Sequence, residues 1–405
     1  MGHDSLTTWH EAFGLLQDVR LAQVRETIPL ADANGRKLAE DVFAKDDYPR
    51  FRSSAMDGYA LHADDIANLT QGLELAGTTL AGELSQPLTA GTTFAVMTGA
   101  PVPDDAAGVV PVEYARIEDG KLFWDEKAST RHIRNAGEDF KTGQCLFKDG
   151  DILTPARLVL MASAGLGACR VWSRPSVSLL VTGSELQGPD EGPLDASQVF
   201  DATSVSLHVM AELARGKLLR VSRLEDDQNI TAHALENEVS NNTRLIVTTG
   251  GVSKGEADHI PTVVEQLGGE VVLHRLAIKP AKPLLVARFP NGSVLVGLPG
   301  NPISQMLAMQ LVVVPLLRGE SPLQGLLFRK AELLNGASAK KGFMTFLRGR
   351  TEWKDNVLQV RILEGQESHR VSNLAEANAW VMAEESLKAG SMVKILPFMT
   401  WEGEV

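Results

Sequence analysis

Leu245-Ile-Val-Thr-Thr249, followed directly by Gly250-Gly251, decides the fold of this chain. Five apolar or β-branched residues without polar alternation are too few for a helix and read as a strand buried on both faces. The glycine pair ends the strand in a turn that allows close backbone approach. The same pattern recurs on either side. Val177-Ser-Leu-Leu-Val181 runs into Thr182-Gly183-Ser184-Glu185-Leu186, and Val294-Leu-Val296 runs into Gly297-Leu-Pro-Gly-Asn-Pro302. Helical stretches follow around 202–215, over 258–267 and from Ile303 onward. Strand, glycine turn and helix, three times over, specify a parallel α/β sheet. Ligands of such sheets bind outside the carboxyl ends of the strands.

The flanking sequence has a different texture. Thr8-x-x-Glu11 forms a capping box, and Trp9, Ala12, Phe13, Leu16 and Val19 recur at helical spacing. From Asp46 to Gln144, Gly, Pro and Thr punctuate short apolar runs (94–97, 109–112, 121–124), which reads as a β-rich insertion. A helical stretch returns over 155–168. Beyond Pro322 a linker leads to strand-like runs at 343–350, 357–363, 380–383 and 392–396, which suit a small β-barrel. The expected organisation is therefore multidomain, α/β plus β. Residues 1–45 and 145–174 form an N-terminal helical, linking domain, and 46–144 a β-rich inserted domain. Residues 175–322 form the parallel α/β domain and 328–405 a C-terminal β-barrel.

Composition narrows the function classes. The 405 residues are 44% hydrophobic and 22% charged, the balance of a soluble globular protein with large cores. The longest apolar stretch, 311–317, is far too short to cross a bilayer. The N-terminus has neither the basic nor the apolar region of a signal peptide. Cys145 and Cys169 lie in no metal or redox spacing, so the cytoplasm is the expected compartment. A net charge of −12 argues against nucleic-acid and membrane-surface partners. It also means that an anionic substrate needs a local cluster of cations.

Such a cluster is present. Lys279-Pro280-Ala281-Lys282-Pro283 holds two lysines in a segment stiffened by proline, and Arg275 lies just upstream. The glycine turns Gly250-Gly251-Val-Ser253 and Gly297-Leu-Pro-Gly300 expose N–H groups beside helix starts. Glu185 and Asp258 follow glycine turns, and Asp226-Asp227 precedes a further helix. Each feature alone has a plain structural reading, as a tight turn, a solvated lysine pair or a helix cap. Together they suit a phosphate-bearing ligand with a divalent cation between it and the carboxylates. In the insertion, Asp57 on a glycine-backed turn, the rigid loop 98–103, and Arg134 and Asp139 near Gly137 read on their own as structural turns.

Seven segments carry a resemblance in their order along the chain: SAMDGYA (54–60), MTGAPVP (97–103), GED (137–139), TGSEL (182–186), TTGGVSKGEAD (248–258), IKPAKP (278–283) and GLPGNP (297–302). Together they resemble the molybdopterin molybdenumtransferases, the MoeA family, whose eukaryotic relatives include the gephyrin E domain. The resemblance spans essentially the whole chain, and 374–378 matches loosely a C-terminal family segment. It implies an enzyme of molybdenum cofactor biosynthesis that takes molybdate and adenylylated molybdopterin, cleaves the adenylate and releases AMP and molybdenum cofactor. It further implies Mg2+, with Glu185 and Asp258 as metal ligands, and catalytic roles for Asp57, Glu185, Asp226 and Asp258. Substrate binding falls on Thr98, Arg134, Asp139, Gly250, Gly251, Ser253, Arg275, Lys279 and Lys282. The implied assembly is a homodimer whose clefts combine the α/β domain of one subunit with the β-rich insertion of the other, and the molybdopterin adenylyltransferase is a further expected partner. Arg275 stands where the family commonly has lysine, and 200–204 keeps Asp201 but departs from the usual aspartate–serine/threonine–asparagine turn. Two alternatives stay open: molybdopterin adenylylation, the preceding step, and a non-catalytic molybdopterin-binding scaffold.

Overall fold

A computed structural model of the chain describes residues 6–67, 71–125, 129–252 and 259–399. It contains two units, Val24–Ser173 and a second made of Met1–Gln23 with Arg174–Val405. Helix α1 (Trp9–Leu16) belongs to the second unit and starts on the expected capping box. The Thr8 amide donates to Glu11 Oε2 at 2.8 Å, and the Glu11 amide returns the bond to Thr8 Oγ1 at 3.3 Å.

The unit 24–173 is built on a six-stranded sheet. Its strands are β1 (Gly58–His62), β2 (Leu73–Thr79), β3 (Thr92–Val96), β4 (Ala106–Pro111), β5 (Ala115–Glu118) and β6 (Lys121–Trp124), in the order β4-β1-β3-β2-β6-β5. All pairings are antiparallel except β2 with β3. Adjacent residues split between two cores. Ala60 and Val109 pack in one, Leu61 and Val110 in the other, as the two-residue period of a strand requires. Helix α2 (Pro155–Ser163) buries Met161 against Leu38, Leu153 and Val171, beside the antiparallel pair 25–29 and 168–172.

The second unit holds the α/β sheet. Its strands are β7 (Ser176–Thr182), β8 (Lys217–Leu224), β9 (Leu245–Thr249), β10 (Glu270–His274), β11 (Leu285–Arg288) and β12 (Val294–Leu298). The order is β8-β7-β9-β12-β11-β10. β8, β7, β9 and β12 are parallel, and β11 runs against them. β10 is antiparallel to β11, so it recovers the common direction. Five carboxyl ends thus share one edge. Apolar residues cover both faces. Leu179, Val247 and Val296 pack with α1, α3 (Ser204–Leu213) and α6 (Pro302–Ala308). Leu180, Ile246 and Leu295 pack with Leu235 of α4 (Gln228–Ser240) and with Ile260, Val263 and Val264 of α5 (Ile260–Gln266). Truncating one of these leucines to alanine would cost ~2–5 kcal/mol.

The remaining strands close a barrel: β13 (Arg329–Leu333), β14 (Met344–Lys354), β15 (Val357–Ile362), β16 (Ala379–Ala383) and β17 (Met392–Pro397). The order is β14-β15-β13-β17-β16, and β16 pairs back onto β14. The barrel shares a core with the α/β sheet. Phe346 and Trp380 belong to the same buried cluster as Trp9, whose ring lies 5.6 Å from that of Phe346. Among the described residues no helix is long and apolar enough to cross a membrane.

The sequence pattern thus yields the three central strands β7, β9 and β12 and, after Asp226-Asp227, the helix α4, but not β8, β10 or β11. β8 is an edge strand with mostly exposed side chains, so it carries no apolar run to read.

Candidate functional site

The shared strand edge collects the second unit's candidate residues. β7 ends at Thr182 and leads to Glu185, β8 ends at Leu224 and leads to Asp226, β9 leads to Gly250 and Gly251, and β10 leads to Arg275. Ser184 and Asp226 clasp two of these ends. Ser184 Oγ accepts from the Asp226 amide at 3.0 Å, and Asp226 Oδ2 accepts from the Ser184 amide at 3.3 Å. Glu185 is exposed. Its Oε2 lies 2.8 Å from where a Cβ on Gly183 would sit, so glycine at 183 makes room for the carboxylate.

The turn after β9 demands glycine. Gly250 and Gly251 have φ of 80° and 65°, in the left-handed region. A Cβ on Gly250 would meet Thr182 Oγ1 at 2.5 Å. That hydroxyl is committed to the Thr249 carbonyl at 2.6 Å, which locks β7 to β9 beneath the turn. His274 Nε2 lies 3.1 Å from the Val252 carbonyl and ties the end of β10 to the same loop. Ser253 and Asp258, both singled out by the sequence, lie outside the described residues.

The cations sit on an excursion whose base is pinned by backbone bonds. The Arg275 amide donates to the Leu284 carbonyl and the Leu276 amide to the Lys282 carbonyl, both at 2.9 Å. Between them Ile278–Lys279 pairs parallel with Met344–Thr345 at the start of β14. Lys279 and Lys282 are exposed, and Arg275 is half-buried. Lys279 is therefore held by the barrel strand as well as by its proline.

Asp201 has a different role. Its carboxylate is buried and accepts from the Thr203 and Ser204 amides at 3.2 and 3.0 Å and from Arg223 at 3.3 Å. Burial opposes its charge, but Ser204, Thr203 and Arg223 outweigh it and hold the carboxyl below its usual range. It braces the start of α3 against the edge strand β8.

The other four candidates, Asp57, Thr98, Arg134 and Asp139, belong to the unit 24–173. Asp57 precedes β1 and Thr98 follows β3, its antiparallel neighbour. Asp57 Oδ1 accepts from both the Thr98 amide and the Thr98 hydroxyl. The amide first, and then the hydroxyl, hold the Asp57 carboxyl below the usual carboxylate range. Beside this pair, across Ser53 and Gly99, opens a cavity of about 720 Å³ lined also by Arg134, Asp139, Tyr48 and Phe51. Arg134 lies opposite Ser53 in a short antiparallel ladder. The sequence reading found Arg134 and Asp139 but neither the Tyr48 ring nor Ser184. Ser184 lay within a quoted motif, whereas nothing in the pattern around Tyr48 marks it.

Three family models match the chain: the MoeA N-terminal region (domain I and II) over 7–165, a probable molybdopterin binding domain over 178–319, and the MoeA C-terminal region (domain IV) over 330–398. A molybdopterin molybdenumtransferase of Synechococcus elongatus is 32% identical over 398 residues, covering 94% of this chain and 96% of that protein. One from Haemophilus influenzae is 30% identical over 395 residues, covering 95% and 96%. Among solved structures, a molybdopterin biosynthesis MoeA protein from Pyrococcus horikosii superposes with a TM-score of 0.81 at 26% identity, over 98% of this chain and 100% of that one. The chain belongs to the MoeA family of molybdopterin molybdenumtransferases.

Proposed function

We propose that this enzyme of molybdenum cofactor biosynthesis acts on adenylylated molybdopterin, inserting molybdenum from molybdate while the adenylate is cleaved and AMP released. The observation that supports this most directly is the shared carboxyl edge of the sheet in the second unit, where Asp226, Glu185 and a glycine turn follow the neighbouring strands β8, β7 and β9, and the Arg275 and Lys279 segment follows β10 at the far side of the same sheet. A pyrophosphate needs such a combination: cations and backbone N–H groups for its oxygens, and carboxylates for a metal ion.

Mg2+ fits this donor set. It prefers carboxylate oxygen, keeps several waters and takes its remaining ligands from substrate phosphates. Glu185, exposed and given room by Gly183, supplies such an oxygen. Bound there, Mg2+ would neutralise charge on the phosphates. Asp258 is the second carboxylate assigned to it.

The chain's own residues do the rest. Arg275, Lys279 and Lys282 bind phosphate oxygens, and the Gly250-Gly251 turn brings backbone close to them. Asp226, braced by Ser184, keeps the ends of β7 and β8 in register. Asp57, kept ionised by Thr98, is set to accept a proton as water adds across the cleaved bond. The working species is a cytoplasmic homodimer in which Asp57 and Thr98 of one subunit serve the strand edge of the other, supplied with substrate by the adenylyltransferase. The deciding experiment incubates purified protein with adenylylated molybdopterin, Mg2+ and molybdate, and measures AMP and active cofactor. Absence of AMP release, or release without cofactor, would sink the reading.

A further inference from the structure

We infer that the cavity beside Tyr48 and Asp139 binds the pterin end of the substrate by reading its 2-amino-4-oxo edge. The inference rests on the function proposed above in one respect, that the substrate carries a pterin. The cavity, of about 720 Å³, is lined wholly by residues of the unit 24–173. Its charge speaks against phosphate. Asp46, Asp47, Glu138 and Asp139 line it against two cations, Arg50 and Arg134. Carboxylates in that excess repel a pyrophosphate and favour a neutral ring rich in N–H donors.

Most of these groups are already engaged. Asp47 Oδ1 accepts from the Thr142 amide and hydroxyl, at 2.8 and 2.7 Å. Glu138 Oε2 accepts from the Asn135 amide at 2.8 Å, and Asp46 lies 4.0 Å from Arg50. The Asp139 carboxylate and the Arg134 guanidinium make no hydrogen bond or ion pair among the described residues. Asp139 and Arg134 therefore offer a ligand one wholly unengaged acceptor group and one wholly unengaged donor group.

A flat surface stands beside them. Tyr48 stacks on Phe140, with ring centroids 5.3 Å apart and planes 13° from parallel, yet remains 44% exposed. The Asp139 amide donates to the Tyr48 carbonyl at 3.0 Å and the Tyr48 amide to the Phe140 carbonyl at 2.9 Å, which fixes the two backbones together. Gly99 also lines the cavity and leaves it open, since a Cβ there would meet nothing within 4 Å. An aromatic face with an adjacent carboxylate and guanidinium matches one heterocycle edge closely. The pterin N3–H and 2-amino groups are neighbouring donors that one carboxylate accepts together, and the 4-oxo group accepts from arginine. Adenine alternates donor and acceptor along its edge, so a carboxylate meets one bond and one repulsion. The pterin, rather than the adenylate, therefore occupies this cavity.

The test is a fluorescence titration of the full-length protein with 6-hydroxymethylpterin. The counter-probes are 6-hydroxymethyllumazine, whose oxo group replaces the 2-amino group, and AMP. The pterin should bind saturably and be quenched on stacking, the lumazine should bind at least tenfold more weakly, and AMP should not compete. Asp139→Asn should weaken pterin binding by roughly tenfold to a hundredfold with the melting temperature unchanged, and Tyr48→Ala by roughly tenfold, with a lower melting temperature because the stacking on Phe140 is lost. Undetectable pterin binding, equal binding of the lumazine, competition by AMP, or an unaffected Asp139→Asn variant would each overturn the assignment. AMP release from adenylylated substrate is measured on the same preparation. Turnover without pterin binding removes the cavity assignment alone, and pterin binding without turnover removes the proposed reaction alone.

Discussion

Thr98 donates twice to a single oxygen of Asp57, from its amide at 2.7 Å and from its hydroxyl at 2.8 Å. The residues are 41 positions apart, brought together because β1 and β3 pair with Gly58 opposite Val96. The second Asp57 oxygen receives no bond among the described residues. The carboxylate is thus anchored by one oxygen and open at the other, as a proton acceptor requires.

The pH dependence follows from that anchor. The Asp57 carboxyl is depressed, so its ionised form is present from above the ordinary carboxylate range down to the depressed value, and is lost as pH falls through it. Thr98→Val keeps the amide, the larger cause, and deletes the hydroxyl. The acid limb of the pH–rate profile should move upward in this variant, without reaching the position expected of an unassisted carboxylate. An unmoved limb would remove Asp57 from the proton transfer.

The turns after β9 and β12 should respond very differently to alanine at Gly250 and at Gly300. At Gly250 an alanine would need φ near 80°, which costs ~1–2 kcal/mol, and its Cβ would press on Thr182 Oγ1. Gly300 has nothing within 4 Å of a Cβ. Gly250→Ala should therefore lose ~2 kcal/mol or more, a fall of roughly 4 °C or more in Tm, whereas Gly300→Ala should stay within ~0.5 kcal/mol of the parent. Equal melting temperatures would contradict the turn geometry.

Glu185 and Lys279 test the two charges of the strand edge separately. Glu185→Gln should raise the Mg2+ concentration needed for AMP release by roughly 10–100-fold, with an unchanged melt. A variant stimulated like the parent would exclude Glu185 as a ligand.

Lys279→Ala should weaken substrate binding by roughly tenfold and flatten its salt dependence, because the lost interaction is between an exposed cation and an anion. Unchanged affinity and unchanged salt dependence would place Lys279 outside the site.

How far the sequence reaches can be judged from particular elements. β7, β9 and β12 are buried on both faces, so their runs stand out, and the turns after β7 and β9 carry glycines that the backbone requires. α4 was legible only from the Asp226-Asp227 start, not from an apolar stripe, because polar groups help to dock it. Glu238, 1% exposed, accepts from Ser178 and Thr243 at 2.6 Å and pairs with Arg220 at 3.2 Å. Hydrophobic periodicity is blind to such a device. The candidate residues themselves lay in glycine- and proline-rich motifs, but the partnership of Ser184 with Asp226, and the open Tyr48 ring beside Asp139, exist only once strands pair. Asp57 is the instructive case: the sequence marks it by its turn, and only the pairing of β1 with β3 supplies Thr98 and the lowered pKa.

Subunit mixing tests whether the enzyme works as a dimer with shared sites. All of the groups that hold Asp57 and Thr98 belong to 24–173, and Glu185 with the other strand-edge groups belongs to the second unit. The two sets are therefore separable by mutation. If one subunit's Asp57 serves its partner's Glu185, Asp57→Asn and Glu185→Gln are each inactive alone at a Mg2+ concentration just sufficient for the parent, because every cleft carries one lesion. In a two-fold hybrid the lesions segregate: one cleft carries both and the other carries neither. Random exchange makes about half of the dimers hybrids, each with one good cleft of two, so activity should recover to about a quarter of the parent. Exchange must be demonstrated independently, by differently tagged subunits recovered in one complex. Recovery near this level would establish sites shared between chains. Full exchange without recovery would mean that each chain completes its site from its own residues, and the shared-cleft arrangement would fall.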